Sequence, residues 1–305
     1  MVMERVAIIK GKDPKSMTEK ALKLIDAKEV FSPEDRVLIK PNCVIPKHPS
    51  SGVTVDHRII EGIIEFTKAC GVKDIIIGEG GNPGTDKTFN ITGIREVAAK
   101  HNLHLVNFNK DEGVEVNIPF GKTLRKIVVA RTVLESTCIV NVPKLKIHHM
   151  AQVTLAIKNL MGVIVGNRSA IMHTKIDEKL VDLASLIKPK LNIIDGLVGS
   201  EMDETYGRPV PMDIVIAGKD MVAVDAVGSA VMGVDPKTVR HISLAIERGL
   251  GIGNLKEIQV LGESIKNVKK QFSQEISKEK LRRLYGLTDV KISRGKLKEL
   301  WENRS

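Results

Sequence analysis

The chain has 305 residues, 42% of them hydrophobic and 28% charged, which is enough to bury a full core and too apolar for a disordered polymer. Its formal charge of +10 is unevenly placed: residues 266–305 carry 12 Lys/Arg against 5 Asp/Glu, a surplus of +7, leaving only +3 for residues 1–265. One Trp, two Tyr and six Phe offer few surfaces on which bases could stack, so a nucleic-acid partner is disfavoured.

In chain order the apolar pattern alternates strand and helix. Residues 5–10 read as a strand, 14–27 as an amphipathic helix, 35–40 as a strand, 55–70 as a helix and 73–78 as a strand. A helix over 86–101 leads to a strand over 103–108. Residues 114–118 and 124–129 then read as two short strands about a turn at Gly121. The β-branched run 138–142 ends at Pro143, a turn follows, and a helix is expected to start near Met150 or Ala151. A helix over 177–187, strands over 191–194 and 213–217, helices over 221–232 and 236–248, and a strand near 258–261 complete the body. Ser277 and Ser293 open two short tail helices whose Leu281, Leu284, Leu297, Leu300 and Trp301 are expected to pack on the body or on a second copy.

This alternation predicts an α/β fold: a mostly parallel sheet with helices on both faces, a β-hairpin insertion near residues 113–130 and a basic helical C-terminal tail. The expected division is an α/β domain over 1–265 and an extension over 266–305, with the hairpin as the weakest place for any split into two lobes. Cys43, Cys70 and Cys138 are odd in number and form no CxxC pair, which argues against a disulfide framework and for a reducing, cytoplasmic setting. The amino terminus lacks a signal-peptide layout, and no apolar run approaches a membrane span.

In open parallel sheets, ligands gather beyond the carboxyl ends of the strands, and the polar loops fall there. Lys40, Pro41 and Asn42 end one strand; Glu79, Gly80 and Gly81 end the next. Lys144, Lys146, His148 and His149 crowd four nitrogen-bearing side chains ahead of an expected helix start, an outline of an anion site. Lys158 and Asn159 interrupt an apolar run, as Asp225 does in another, and an unpaired charge there would be costly. Mutual pairing of Lys158 with Asp225, directly or through Asn159, a cation or a bound ligand, is therefore expected. Asp195, at a strand end, is a candidate for a hard cation such as Mg²⁺. Glu201, Asp203 and Glu204 read as a solvated acidic loop, and Asp220 as a helix N-cap. The histidines have no recognised metal spacing, and neither HExxH nor GxSxG occurs.

These residues resemble those of a known family, the domain of unknown function family 362. The resemblance rests on Lys40-Pro41-Asn42, on Pro143 to Lys146 with His148, on Lys158-Asn159-Leu160-Met161-Gly162, on Asp195-Gly196, and on Asp220 to Asp225 with Gly233, over about residues 5–260. It implies a shared domain and site without naming a substrate. Many relatives look like fusions to a ferredoxin-type module with two iron–sulfur clusters. The C-terminal segment here has no cysteine, so no iron–sulfur cluster is expected.

The leading expectation is an enzyme acting on, or binding, a small anionic metabolite. Lys40, Lys144 and Lys146 would hold the anion with Asn42, Glu79, Gly80, Gly81 and Asn159 around it. His148, Lys158 and Asp225 would form the catalytic group, with His148 moving protons because its reference pKa lies near neutrality. The alternative is a noncatalytic binding or scaffold protein whose basic tail engages a protein or nucleic-acid partner. A homo-oligomer through the tail is a further expectation.

Overall fold

The computed structural model describes residues 3–286 and 292–302. Its strands are β1 (Glu4–Lys10), β2 (Arg36–Pro41), β3 (Asp74–Glu79), β4 (His104–Asn107), β5 (Gly113–Asn117), β6 (Lys126–Ala130), β7 (Cys138–Val142), β8 (Lys144–His148), β9 (Gln152–Thr154), β10 (Leu191–Glu201), β11 (Arg208–Gly218) and β12 (Ile258–Gly262). The main sheet runs β12-β1-β11-β10-β7-β2-β3-β4, with β8 against β10 and β9 against β8. Pairing is parallel except at β1–β11, β10–β11 and β8–β9. β5 and β6 form a separate antiparallel hairpin, as their spacing predicts.

Alternation along the strands sends side chains into two cores. Val6, Ile8, Leu38 and Ile76 pack on one face with the helices Ile176–Leu186, Met221–Val231 and Arg240–Glu247. Ala7, Ile9, Val37, Ile39, Ile75 and Ile77 pack on the other with Pro14–Leu24 and His57–Ala69. The aliphatic composition thus covers both faces of a mostly parallel sheet. Asp13, Asp56 and Asp220 cap three of these helices through backbone N–H groups.

Four expectations are corrected. Residues 86–101 form two helices, Thr85–Ile91 and Ile94–Lys100, because Gly93 adopts φ 77° between them. Pro143 interrupts pairing without ending the extended run: β7 and β8 follow one another along β10, and the Pro143 carbonyl accepts from the Asp195 N–H at 2.9 Å. No helix starts at Met150, since the chain returns as β9 and turns helical only at Ala156–Asn159. β10 continues past Ile194 to Glu201 and pairs with an equally long β11, so the acidic loop is a buried hairpin tip in which Glu201, Asp203 and Glu204 are each under 9% exposed.

That tip is covered by the tail. The helices Lys278–Tyr285 and Arg294–Glu302 share a small core of Leu281, Tyr285 and Leu297, with Leu300 and Trp301 against it. Lys298 donates to Asp177 at 2.6 Å and Arg294 to the Gln274 carbonyl at 2.8 Å, fixing the second helix to the body. The expected contact of the Leu284 side chain lies outside the described residues. Among the described residues no helix is long and apolar enough to cross a membrane.

Candidate functional site

The strand ends and the β8–β9 hairpin surround a cavity of about 180 Å³. At its base, Lys40 of β2 is fully buried and ion-paired with Glu79 of neighbouring β3. Burial holds Lys40 below the usual lysine range even with that carboxylate beside it. The turn Leu160–Val163 sits directly on this pair: a side chain at Gly162 would collide with Glu79 and Lys40. Gly80 is needed for the same approach, since a Cβ there would lie 2.6 Å from the Gly162 carbonyl oxygen.

A chain of amides fixes the next layer. Asn42 donates to Asn159 at 2.7 Å, Asn159 to Asn141 at 2.8 Å, and Asn141 to Asn192 at 3.1 Å. Lys146 closes the chain by donating to Asn42 at 2.8 Å, to the Val53 carbonyl at 2.8 Å and to the Glu204 carbonyl at 3.2 Å. All three ammonium protons therefore have oxygen acceptors. Burial, opposed by Glu204, brings Lys146 down to about 7.

Above these lie three imidazoles. His148 Nδ1 accepts from the backbone N–H groups of Met150 (3.0 Å) and Ala151 (3.1 Å), so its neutral ring carries the proton on Nε2, 3.9 Å from Glu204. His149 stacks on it with centroids 4.9 Å apart and shares a 3.0 Å hydrogen bond with Glu204 through Nδ1. His173 meets Trp301 edge-on at 4.9 Å. Burial pushes His148 well below its usual range and His173 to about 3. The reason for expecting His148 to exchange protons near neutrality is thereby removed; it is a neutral hydrogen-bond donor. Glu204 also pairs with Lys280 of the tail, and its carboxyl is held well below the usual range: burial would raise it, and the adjoining His148 and His149 imidazoles and the Lys280 ammonium outweigh that.

His148, His149 and Glu204 bring one ligand atom each within 4.8 Å of the others, the spacing a metal requires. The donor set does not fit one. A cation would need the His148 Nε2 lone pair, which the two backbone donors on Nδ1 deny it, and the surrounding charge is positive.

Lys158 projects into the cavity from the Ala156–Asn159 helix and is 8% exposed. Among the described residues its Nζ contacts only the Met161 sulfur, at 3.0 Å, a weak acceptor. Burial, partly opposed by Glu204, brings this amine down to about 8. Asp225 is not its direct partner among the described residues. Asp225 is fully buried, but its carboxyl accepts from Ala156 N–H (2.5 Å) and Ile157 N–H (3.0 Å), capping the helix that carries Lys158. The free N–H groups of a helix start satisfy a buried carboxyl without a cation. With none beside it, burial raises Asp225 to about 7.

Lys144 and Asp195 lie elsewhere. They pair at 2.8 Å, both fully buried, and Lys144 borders a separate cavity of about 190 Å³ near Lys12 and Arg58. Asp195 also accepts from Asp56 N–H (2.7 Å) and Leu197 N–H (3.0 Å). A lysine and two backbone amides thus occupy the Asp195 carboxylate proposed for Mg²⁺, and Glu201, Asp203 and Glu204 are engaged at the hairpin tip by Arg208, Ser277 and Lys280. Of the residues expected at the site, Asn42, Glu79, Gly80, Gly81, Lys146, His148, Lys158 and Asn159 line the cavity with Lys40 beneath, Asp225 caps the helix that carries Lys158, and Lys144 and Asp195 lie apart.

Sequence reasoning missed Glu204, Lys280, Trp301 and Arg168 as parts of this wall. Arg168 donates to the Gly81 carbonyl at 2.5 Å and to Asn109, holding the glycine loop against the cavity.

An α/β protein with a small, cation-rich cavity at its strand ends is the class that fold and site define. The chain belongs to the family described as Domain of unknown function (DUF362), whose model matches residues 37–230. It is similar to the thylakoid-associated protein sll1697 of Synechocystis sp. (strain ATCC 27184 / PCC 6803 / Kazusa), with 24% identity over 231 residues, 72% of this chain and 69% of that protein.

Proposed function

We propose that the cavity binds a small anionic metabolite and that the protein is an enzyme acting on it. The observation that carries this reading is the charge balance. The lining residues Lys146, Lys158, Arg168 and Lys280 face Glu79 and Glu204, a formal +2, which becomes +3 with Lys40 behind Glu79. A surplus of buried cations is stabilised by an anion more than by water. At about 180 Å³ the space holds roughly six waters at ~30 Å³ each, so the ligand is a compact metabolite and not a nucleotide. Lys146, Lys158 and Arg168 balance its charge, Asn42, Asn159 and the Gly80–Gly81 backbone shape its seat, and His148 donates a neutral hydrogen bond.

The competing reading is a noncatalytic scaffold whose basic tail binds a partner. It draws less support, because Lys280, Arg294 and Lys298 of the tail are engaged with the body. Thermal unfolding with phosphate, oxalate and chloride at matched ionic strength tests the proposal. Oxalate or phosphate should raise the midpoint above chloride, and Lys158→Met should abolish the difference. Equal midpoints in all three salts would overturn it.

A further inference from the structure

Six buried or half-buried cations surround or support the cavity, and five have oxygen partners. Lys40 pairs with Glu79, Lys146 has three oxygen acceptors, Lys280 has Glu204 and Thr205, Arg168 has the Gly81 carbonyl and Asn109, and Arg294 has the carbonyls of His148 and Gln274. Lys158 is the exception among the described residues. Its nitrogen faces a cavity, more than nine-tenths buried, with a thioether as its only polar contact. A lysine kept for charge alone would be expected to have a carboxylate. One kept dry, beside other cations and without an oxygen acceptor is placed as a nucleophile, because that environment favours the free amine.

We infer that Lys158 is an imine-forming lysine and that the anion it meets is a small 2-oxo carboxylate. The inference rests on the anion-site reading and adds covalent chemistry to it. The free-base Nζ lone pair attacks the ketone carbon, a C–N bond forms, and the carbonyl oxygen takes up a proton. The carbinolamine then expels that oxygen as water, the two amine hydrogens and the ketone oxygen leaving together, and a proton from solvent gives the iminium. No oxidant, reductant or metal is required. The carboxylate of the same molecule answers the positive charge of Arg168 and Lys146, and three to five carbons fit the volume. The groups acting on Lys158 are Glu204 and Asp177, which favour its protonated form, and Lys280 and Arg168, which oppose it. Lys146, His148 and His173 feel its charge in turn. The thioether of Met161 withdraws no proton and forms no ion pair, so the amine stays available.

The test uses the full chain, with pyruvate as probe and cyanoborohydride to reduce any imine to a stable secondary amine, located by peptide mass mapping. The expected result is one adduct per chain, on Lys158, diminished by added oxalate, which occupies an anion site but forms no imine. Lys158→Arg keeps the charge and Lys158→Met the apolar stem; both should lose the adduct while remaining folded by circular dichroism. If oxalate raises the unfolding midpoint but pyruvate leaves no adduct on Lys158, or labels exposed lysines equally, the covalent inference is overturned and the anion site stands. If neither oxalate nor pyruvate shifts the midpoint and no adduct forms, both are overturned.

Discussion

Asp225 and Ile157 are joined by a hydrogen bond of 3.0 Å from the Ile157 backbone N–H to the Asp225 carboxyl, across 68 positions of sequence. With the companion bond to Ala156 it makes Asp225 the structural origin of the helix bearing Lys158 and Asn159. Asp225→Ala should therefore destabilise the fold by about 1–3 kcal/mol, leaving two buried N–H groups without an acceptor, as urea unfolding would measure. Asp225→Asn keeps one acceptor and should cost less. The pH dependence has a definite sign. The folded carboxyl is raised to about 7 from the unfolded 3.8, so the native state binds the extra proton between these values and the wild type loses stability as pH rises through them. Compared with Asp225→Asn, it should weaken progressively from pH 4 to pH 7.

Lys158→Met should stabilise the protein. The folded amine is lowered from 10.5 to about 8, so the unfolded chain binds the extra proton between those values. Wild-type stability attributable to this group is at its lowest below pH 8 and recovers as pH rises toward 10.5. At pH 7 the Met variant should exceed the wild type by at most about 3 kcal/mol, a gap that closes at alkaline pH; matched urea curves at pH 7 and 10 measure it. The gain is possible because Asp225 is satisfied by backbone and is not stranded by the substitution.

Much of this was legible in local pattern, and what was missed shares one physical cause. The β2 and β3 strand ends, the β5–β6 hairpin and the Asp220 cap follow from short-range rules that tertiary contacts leave intact. β8 was misread because Pro143 and the four nitrogen-bearing side chains of Lys144, Lys146, His148 and His149 suggested a turn. The period-two alternation of Lys144, Leu145, Lys146, Ile147 and His148 was nonetheless present, and Leu145 and Ile147 are fully buried. Asp225 was rightly expected to be buried, but sequence offers no means of choosing between a lysine and two amides as its partner. Glu204 looked solvated because the residues that cover it, Lys280 and its helix, come about 75 positions later.

Lys280→Met should be strongly destabilising, by roughly 3 kcal/mol, because it leaves the buried Glu204 carboxylate without its ion-pair partner. Urea unfolding should show a lower midpoint at pH 7. Adding Glu204→Gln to the same chain should restore part of the loss, a double-mutant coupling that a merely exposed tail would not give.

Gly162→Ala should cost about 1–3 kcal/mol, since the added methyl group meets Glu79 and Lys40, which are buried and paired and have no room to withdraw. The same substitution should weaken the oxalate-dependent shift in unfolding midpoint. Gly166→Ala, at φ 98° but in open space, should lower stability through backbone strain and leave that shift intact.

The cavity's roof is made by Lys280 and Trp301 of the helices Lys278–Tyr285 and Arg294–Glu302, which leave the ribosome after every strand of the sheet. During synthesis, therefore, the floor and walls can form while the roof is absent, and in that interval water reaches His173, Glu204 and Lys158 alike. Solvated, Lys158 is an ordinary protonated lysine with no special reactivity. Lys280 and Trp301 line the same cavity as Lys158, so a growing chain acquires the dry surroundings of that amine only when its tail has docked.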